Sequence, residues 1–145
     1  MMTRAPTTLF SLGVALDRSG DLEGGLESIA RARSYDPVDK FLQGDTWFFS
    51  TPHDAAWFEA LGHWLVARRG DGDDVRLGAY ERAVAAWKSF IARAPETDPY
   101  LGLAKARLKL CEKEMAAFSK KVQTPTPMNP EPTEDKGVIF RRQRK

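Results

Sequence analysis

The sequence predicts an all-α protein that ends in a separate tail. Three observations carry this: apolar residues recur at helical spacing, Gly-Asp and Pro signals punctuate the runs, and after Lys121 the pattern gives way to proline-rich polar sequence. The 145 residues are 42% hydrophobic and 29% charged, with a formal net charge of +2. That balance fits one modest core and is too weakly basic to argue for nucleic acid by itself. Cys111 stands alone, which excludes an intramolecular disulfide and a cysteine-based zinc site and leaves a small apolar residue on a helix.

The first helical run carries Leu9, Leu12 and Leu16 on one face, with Gly13 and Ala15 between them. Ser19-Gly20-Asp21 interrupts it. Gly20 suits a left-handed helix end, and Asp21 suits the cap of the next helix. The second run, Leu22, Leu26, Ile29 and Ala30, ends with Arg31 and Arg33 in a last turn that favours cations and closes at Asp36-Pro37. Gly13 and Gly25 fall on inward faces, where a missing Cβ lets two helices approach. A helical hairpin follows.

A second copy is visible in FEALGHWL, Phe58 to Leu65, and AVAAWKSFIARAP, Ala83 to Pro95. Together the copies resemble the tetratricopeptide repeat, a helix–turn–helix with the pattern W-x2-L-G-x2-Y, A-x3-F and P. The matched positions are Leu9, Leu12-Gly13, Leu16, Gly25, Ile29, Ala32 and Pro37, then Phe58, Leu61-Gly62, Leu65, Ala83, Trp87 and Pro95. Leu9 and Leu16 replace the consensus Trp and Tyr, Gly25 stands where alanine is usual, and Phe90 replaces a small residue. Gly13 to Gly25 is 12 residues and Gly62 to Ala83 is 21, so nine extra residues around RRGDGDDVRLG enlarge the second turn or lengthen a helix end. Trp87 is expected between helices.

The expected organisation is a helical body over 1–121 with no sheet beyond a short piece near Trp47. It comprises hairpin 1 at about 7–37, an aromatic insertion at 38–54, hairpin 2 at about 55–95 and a capping helix at about 98–121. The insertion holds Phe41, Leu42, Trp47, Phe48 and Phe49, which either cover the open end of the first hairpin or offer an aromatic patch to a partner. Thr51 or Asp54 caps the helix that follows it. Asp98 caps the last helix, Pro99 occupies its first turn, and Leu101, Ala104, Leu108, Cys111, Met115 and Phe118 form its apolar stripe. Its Lys105, Arg107, Lys109, Glu112, Lys113 and Glu114 read as a solvated face. The body is neutral, with 17 Lys/Arg and 17 Asp/Glu in residues 1–121.

The tail, 122–145, cannot bury enough apolar surface to offset its ordering entropy and is expected to be disordered. Its tip joins Val138, Ile139 and Phe140 to Arg141, Arg142, Arg144 and Lys145. Three roles fit: a solubilising end, a docking motif that adds to a sheet edge or groove, or a phosphate-binding end for RNA or anionic lipid. Four clustered cations are too few for specific nucleic-acid recognition.

No catalytic constellation is evident. His53 and His63 lack the i, i+4 spacing of helical metal ligands, and Asp71-Gly72-Asp73-Asp74 lacks the ligand order and final Glu of an EF-hand. There is no phosphate loop, nucleotide fingerprint or nucleophile elbow. The sequence is therefore read as non-enzymatic, without cofactor or metal. The opening MMTRAPTTLFSLGVAL is too short for a membrane span and lacks a cleavage site, so a cytoplasmic location is expected.

The repeat resemblance implies a scaffold for protein–protein interaction, in which first helices line a concave groove for a peptide or helix. Carried over by position, that groove would present Thr7, Phe10, Val14, Asp17 and Arg18 from the first copy, and Glu59, His63, Val66 and Ala67 from the second. These residues do not resemble the Lys/Asn clamp that some relatives use for a terminal carboxylate. A protein partner within a larger complex is expected, with an RNA- or anionic-surface binder acting through the basic tail as the alternative.

Overall fold

A computed structural model describes residues 4–36 and 53–123. The aromatic insertion from 38 to 52, its Trp47 piece, and the tail from 124 onward, including Val138 to Lys145, lie outside the described residues. Among the described residues five helices make up the all-α body: α1 (Arg4–Arg18), α2 (Leu22–Arg33), α3 (Asp54–Arg69), α4 (Asp73–Arg93) and α5 (Leu101–Gln123).

The α1–α2 hairpin is built on reciprocal glycines. A Cβ on Gly13 would stand 2.8 Å from the Gly25 carbonyl oxygen, and one on Gly25 would stand 2.7 Å from the Gly13 carbonyl oxygen. Only glycine permits backbones this close. The Ser28 hydroxyl adds a 2.7 Å bond to the Leu9 carbonyl. The turn follows its sequence signals: Gly20 has φ 104°, and Asp21 caps α2 by accepting the Gly24 N–H at 2.8 Å.

The other boundaries partly depart from expectation. Helix α2 stops at Arg33, ahead of Asp36-Pro37. Asp54 opens α3 as its first helical residue, and its carboxylate is taken by Arg18 instead of capping. Asp98 accepts the Tyr100 N–H at 2.8 Å just before α5 begins at Leu101. Of the nine extra residues of the second hairpin, seven lengthen the start of α4 and two lengthen the end of α3. Gly70 to Gly72 make the turn, and Asp73 and Asp74 occupy the first turn of α4, where the helix dipole favours them.

Helix α3 is the centre. Trp57, Phe58, Ala60, Leu61, Gly62, Trp64 and Leu65 are all buried, leaving it enclosed almost all round. Trp57 meets Trp87 and Phe90 of α4 edge-on at 4.8 and 4.9 Å, and Trp64 meets Trp87 at 6.1 Å. Trp87 is fully buried between these helices, as expected from the sequence. Helix α4 runs back along α3, and α5 runs forward again, since Tyr100 lies near Trp57 and Glu114 near Trp64.

The face of α1 differs from the expected one. Phe10 and Val14 are core residues and Phe10 stacks on Phe58 at 5.8 Å, whereas Leu12 is 48% exposed. Two faces of α1 are occupied, one against α2 through Leu9 and Gly13 and one against α3 through Phe10, Val14 and Asp17. Leu12 belongs to neither.

The glycine contact gives a measurable expectation. Gly13→Ala or Gly25→Ala should lower stability by about 1–3 kcal/mol, the usual cost of forcing atoms into a filled interface. Gly102→Ala, where nothing lies within 4 Å, should be neutral or gain up to about 1 kcal/mol. Urea unfolding of the three variants checks this.

Candidate functional site

The groove assigned from the sequence is closed. Phe10 and Val14 are buried, and Asp17 has no exposed surface at all. Arg18 is occupied: it pairs with Asp54 at 2.9 Å, and its Cζ lies 4.5 Å from the Trp57 ring centroid and 4.3 Å from that of Tyr100. On α3, Ala67 is buried, His63 and Val66 are half-buried, and Glu59 is exposed, as is half of Thr7 on α1. The structure thus brings Phe10, Val14, Asp17 and Arg18 together as interior, and a partner reaches them only by opening the core.

Two acid sites replace that groove, one fully buried at Asp17 and one half-buried at Glu114. In the first, the Trp57 indole N–H donates to Asp17 Oδ2 at 3.0 Å, and Arg107 Nε donates to Oδ1 at 2.7 Å. Arg107 also reaches the Asp17 carbonyl at 3.3 Å. Burial pushes the Asp17 carboxyl above its ordinary range, with Arg107, Trp57 and Arg18 pulling against that shift. In the second site, Glu114 Oε1 accepts the Trp64 indole N–H at 2.9 Å and Arg68 Nε at 3.1 Å, and Oε2 accepts Arg68 again at 2.6 Å. Arg68 continues to Glu23 of α2 at 2.8 Å. Burial raises the Glu114 carboxyl, but the Arg68 fork and the Trp64 indole outweigh it and hold it below the usual range.

Arg107 and Glu114 therefore do not belong to the solvated face of α5. Each follows a buried residue of that helix, Ala104 and Cys111, by three positions, and so lies beside the core stripe. That spacing, seven apart on α5 and matched by Trp57 and Trp64 seven apart on α3, is the signal that composition alone conceals.

The remaining titratable groups do not form a reactive centre. The Cys111 thiol is buried and pushed up to about 12, by burial first and Glu114 second, which leaves it protonated and inert at neutral pH. His63 is held below its usual value by burial and by Arg82 and Arg33. His53 meets Asp98 at 2.8 Å and packs edge-on against Phe90. Among the described residues no three His, Cys, Asp or Glu side chains are grouped to hold a metal ion, and no described helix is long and apolar enough to cross a membrane.

The outer side of α5 is the surface with the most distinctive chemistry. Leu103 and Leu110 are half-buried, with exposed Ala106 and Ala117 continuing their row, and every exposed charged residue of the helix is a lysine: Lys105, Lys109, Lys113, Lys120 and Lys121. Comparison with known proteins adds no family to this geometry: no family model, curated protein or solved structure matches the chain.

Two expectations follow from the acid sites. Arg107→Ala strands a buried carboxylate and should cost about 3–5 kcal/mol, whereas Asp17→Leu with Arg107→Met should cost less, about 1–3 kcal/mol, because the apolar pair avoids the charge penalty and leaves only the Trp57 indole N–H without its acceptor. Chemical denaturation of both separates these outcomes. For Glu114, a folded pKa below the unfolded one means stability that is present above the unfolded value and lost as pH falls through the folded one. The melting temperature should therefore drop on acidification below about pH 4.5, and less steeply in Glu114→Gln, in melts run across that range.

Proposed function

We propose that this chain is a non-enzymatic protein–protein interaction module or assembly subunit of the tetratricopeptide-like kind, which takes a peptide or helix of a protein partner. The observation that carries this is the unfinished edge at α5. Helix α1 packs on α2 and α3 packs on α4, but among the described residues no helix covers the outer side of α5, where exposed Ala106 and Ala117 continue the row of Leu103 and Leu110, whose buried sides pack on the core. An amphipathic helix normally buries its apolar stripe, and an incompletely covered one at the end of a helical stack is where a further element adds.

The reading moves the partner surface from the first-helix groove to the last helix. It also fits the two acids Asp17 and Glu114, which are each committed to an arginine and an indole and are not available for proton transfer. The Val138–Phe140 run with Arg141, Arg142, Arg144 and Lys145 remains part of the proposal as a second docking element in the tail.

The test is affinity capture with the intact chain, with Ala106→Glu/Ala117→Glu, and with Phe140→Ala, bound proteins being identified by mass spectrometry. Both altered alanines are exposed, so the melting temperature should hold while partner recovery falls for the double variant. Equal recovery by the double variant would remove α5 from the binding surface, and a loss confined to Phe140→Ala would assign binding to the tail.

A further inference from the structure

The surface of α5 also indicates what kind of partner it takes. Residues four apart on a helix form ridges, and here two neighbouring ridges differ sharply. One is low and uncharged: Gly102, Ala106 and Leu110. The next is Lys105, Lys109, Lys113, Ala117 and Lys121. Its lysines are exposed, and the two acids of α5, Glu112 and Glu114, are not: Glu112 is half-buried, and Glu114 turns inward to Arg68 and Trp64. A helix surface normally intersperses both signs, with Glu placed to pair with Lys at i+4. This one sets lysine against lysine at that spacing and commits Glu114 inward.

We propose that the partner element is an acidic amphipathic helix lying along α5, with its apolar ridge on Gly102, Ala106 and Leu110 and its carboxylates facing Lys105, Lys109 and Lys113. This rests on the reading of the chain as an interaction module. Helix is favoured over other acidic partners because the two ridges are commensurate with one: a row of Glu at i, i+4 and i+8 advances about 6 Å per step, the same advance as the lysine row. The low ridge matters as much. Glycine and alanine let a second helix axis approach closely, and Leu110 gives it apolar contact. A phosphate backbone would gain nothing from that ridge. Surfaces that bind single-stranded nucleic acid without base readout usually add exposed aromatic side chains for stacking, and the outer side of α5 carries none: Phe118, its one aromatic residue, is half-buried beneath Arg76. An anionic membrane would want large apolar side chains beside the lysines, and on these two ridges there is only half-buried Leu110.

The experiment is a fluorescence-anisotropy titration of the full chain with three probes: a labelled amphipathic peptide with Leu on one face and Glu at i, i+4 and i+8, the same peptide with Gln for Glu, and a single-stranded uridine oligonucleotide. Vesicles with and without phosphatidylserine are tested by co-sedimentation. The Glu peptide should bind, its affinity should fall with added salt, and Lys109→Glu/Lys113→Glu should weaken it by at least about tenfold, since exposed charge pairs are each worth up to a factor of about five and reversal adds repulsion. A peptide with Lys for Glu should bind that variant instead. Melting temperatures of the wild-type chain and the variant should agree, because both lysines are exposed. If the Gln peptide binds as tightly as the Glu peptide, the acidic requirement is overturned while the interaction module stands. Binding of the oligonucleotide or the phosphatidylserine vesicles without the Glu peptide overturns the proposal in favour of a phosphate-bearing surface. Failure of all four probes overturns it outright.

Discussion

Two indole N–H groups on one enclosed helix need acceptors, and where those acceptors sit decides the position of everything else. Trp57 and Trp64 lie on the same side of α3, two turns apart, and neither ring has exposed surface. An unmade hydrogen bond there costs about 1–3 kcal/mol. Asp17 answers the first from α1, and Glu114 answers the second from α5. A carboxylate in such a place must itself be compensated, so each brings an arginine: Arg107 from α5 for Asp17, Arg68 from α3 for Glu114. The geometry of α1, α3 and α5 is then fixed by polar contacts whose directionality apolar packing lacks. Trp87, the third buried indole, has no acceptor among the described residues, and its ring instead lies edge-on to the other two.

Local features were the legible ones. Glycines at positions 13 and 25 announced a close helix crossing because no other residue type allows it, and Gly20-Asp21 announced its turn because each residue performs one backbone task. The extra length of the second hairpin could be counted, although only the structure divides it between the start of α4 and the end of α3. What failed was the choice of face. Leu9, Leu12 and Leu16 form an unbroken apolar row, yet the side of α1 that packs on α3 is Phe10, Val14 and Asp17. A helix contacted by two neighbours buries two stripes, and periodicity reports their sum. The acid was the harder residue, because a charged side chain at the end of a helix is ordinarily on the surface. Nothing local distinguishes Asp17 from such a residue; its partner is on the last helix.

The same contact alters how the fold can present itself. Helical-hairpin stacks commonly offer the inner line of their first helices. Here the first turn of α3 meets the last turn of α1 through Arg18–Asp54, while the last turn of α3 meets the start of α2 through Arg68–Glu23 and Arg69–Glu27. The second hairpin is therefore set across the end of the first. Identically placed hairpins would bring first turn beside first turn. This crossing fills the inner line with Phe10, Val14 and Trp57 and leaves the outside of α5 as the surface whose chemistry is unspent.

Asp17 and Arg107 are 90 residues apart in the chain. Stacked-repeat proteins lose structure one unit at a time, because each unit touches only its neighbours, and their ends fray well before their middles. A bond from the first helix to the last removes that freedom: α5 cannot peel away without stranding a charge beneath α1, and α1 cannot fray without stranding one beneath α5. Slow amide exchange should then extend to both ends of the body together, with one opening free energy, and the stack cannot be shortened by a unit and remain a stack. In that respect the described body is a single closed fold assembled from helical hairpins.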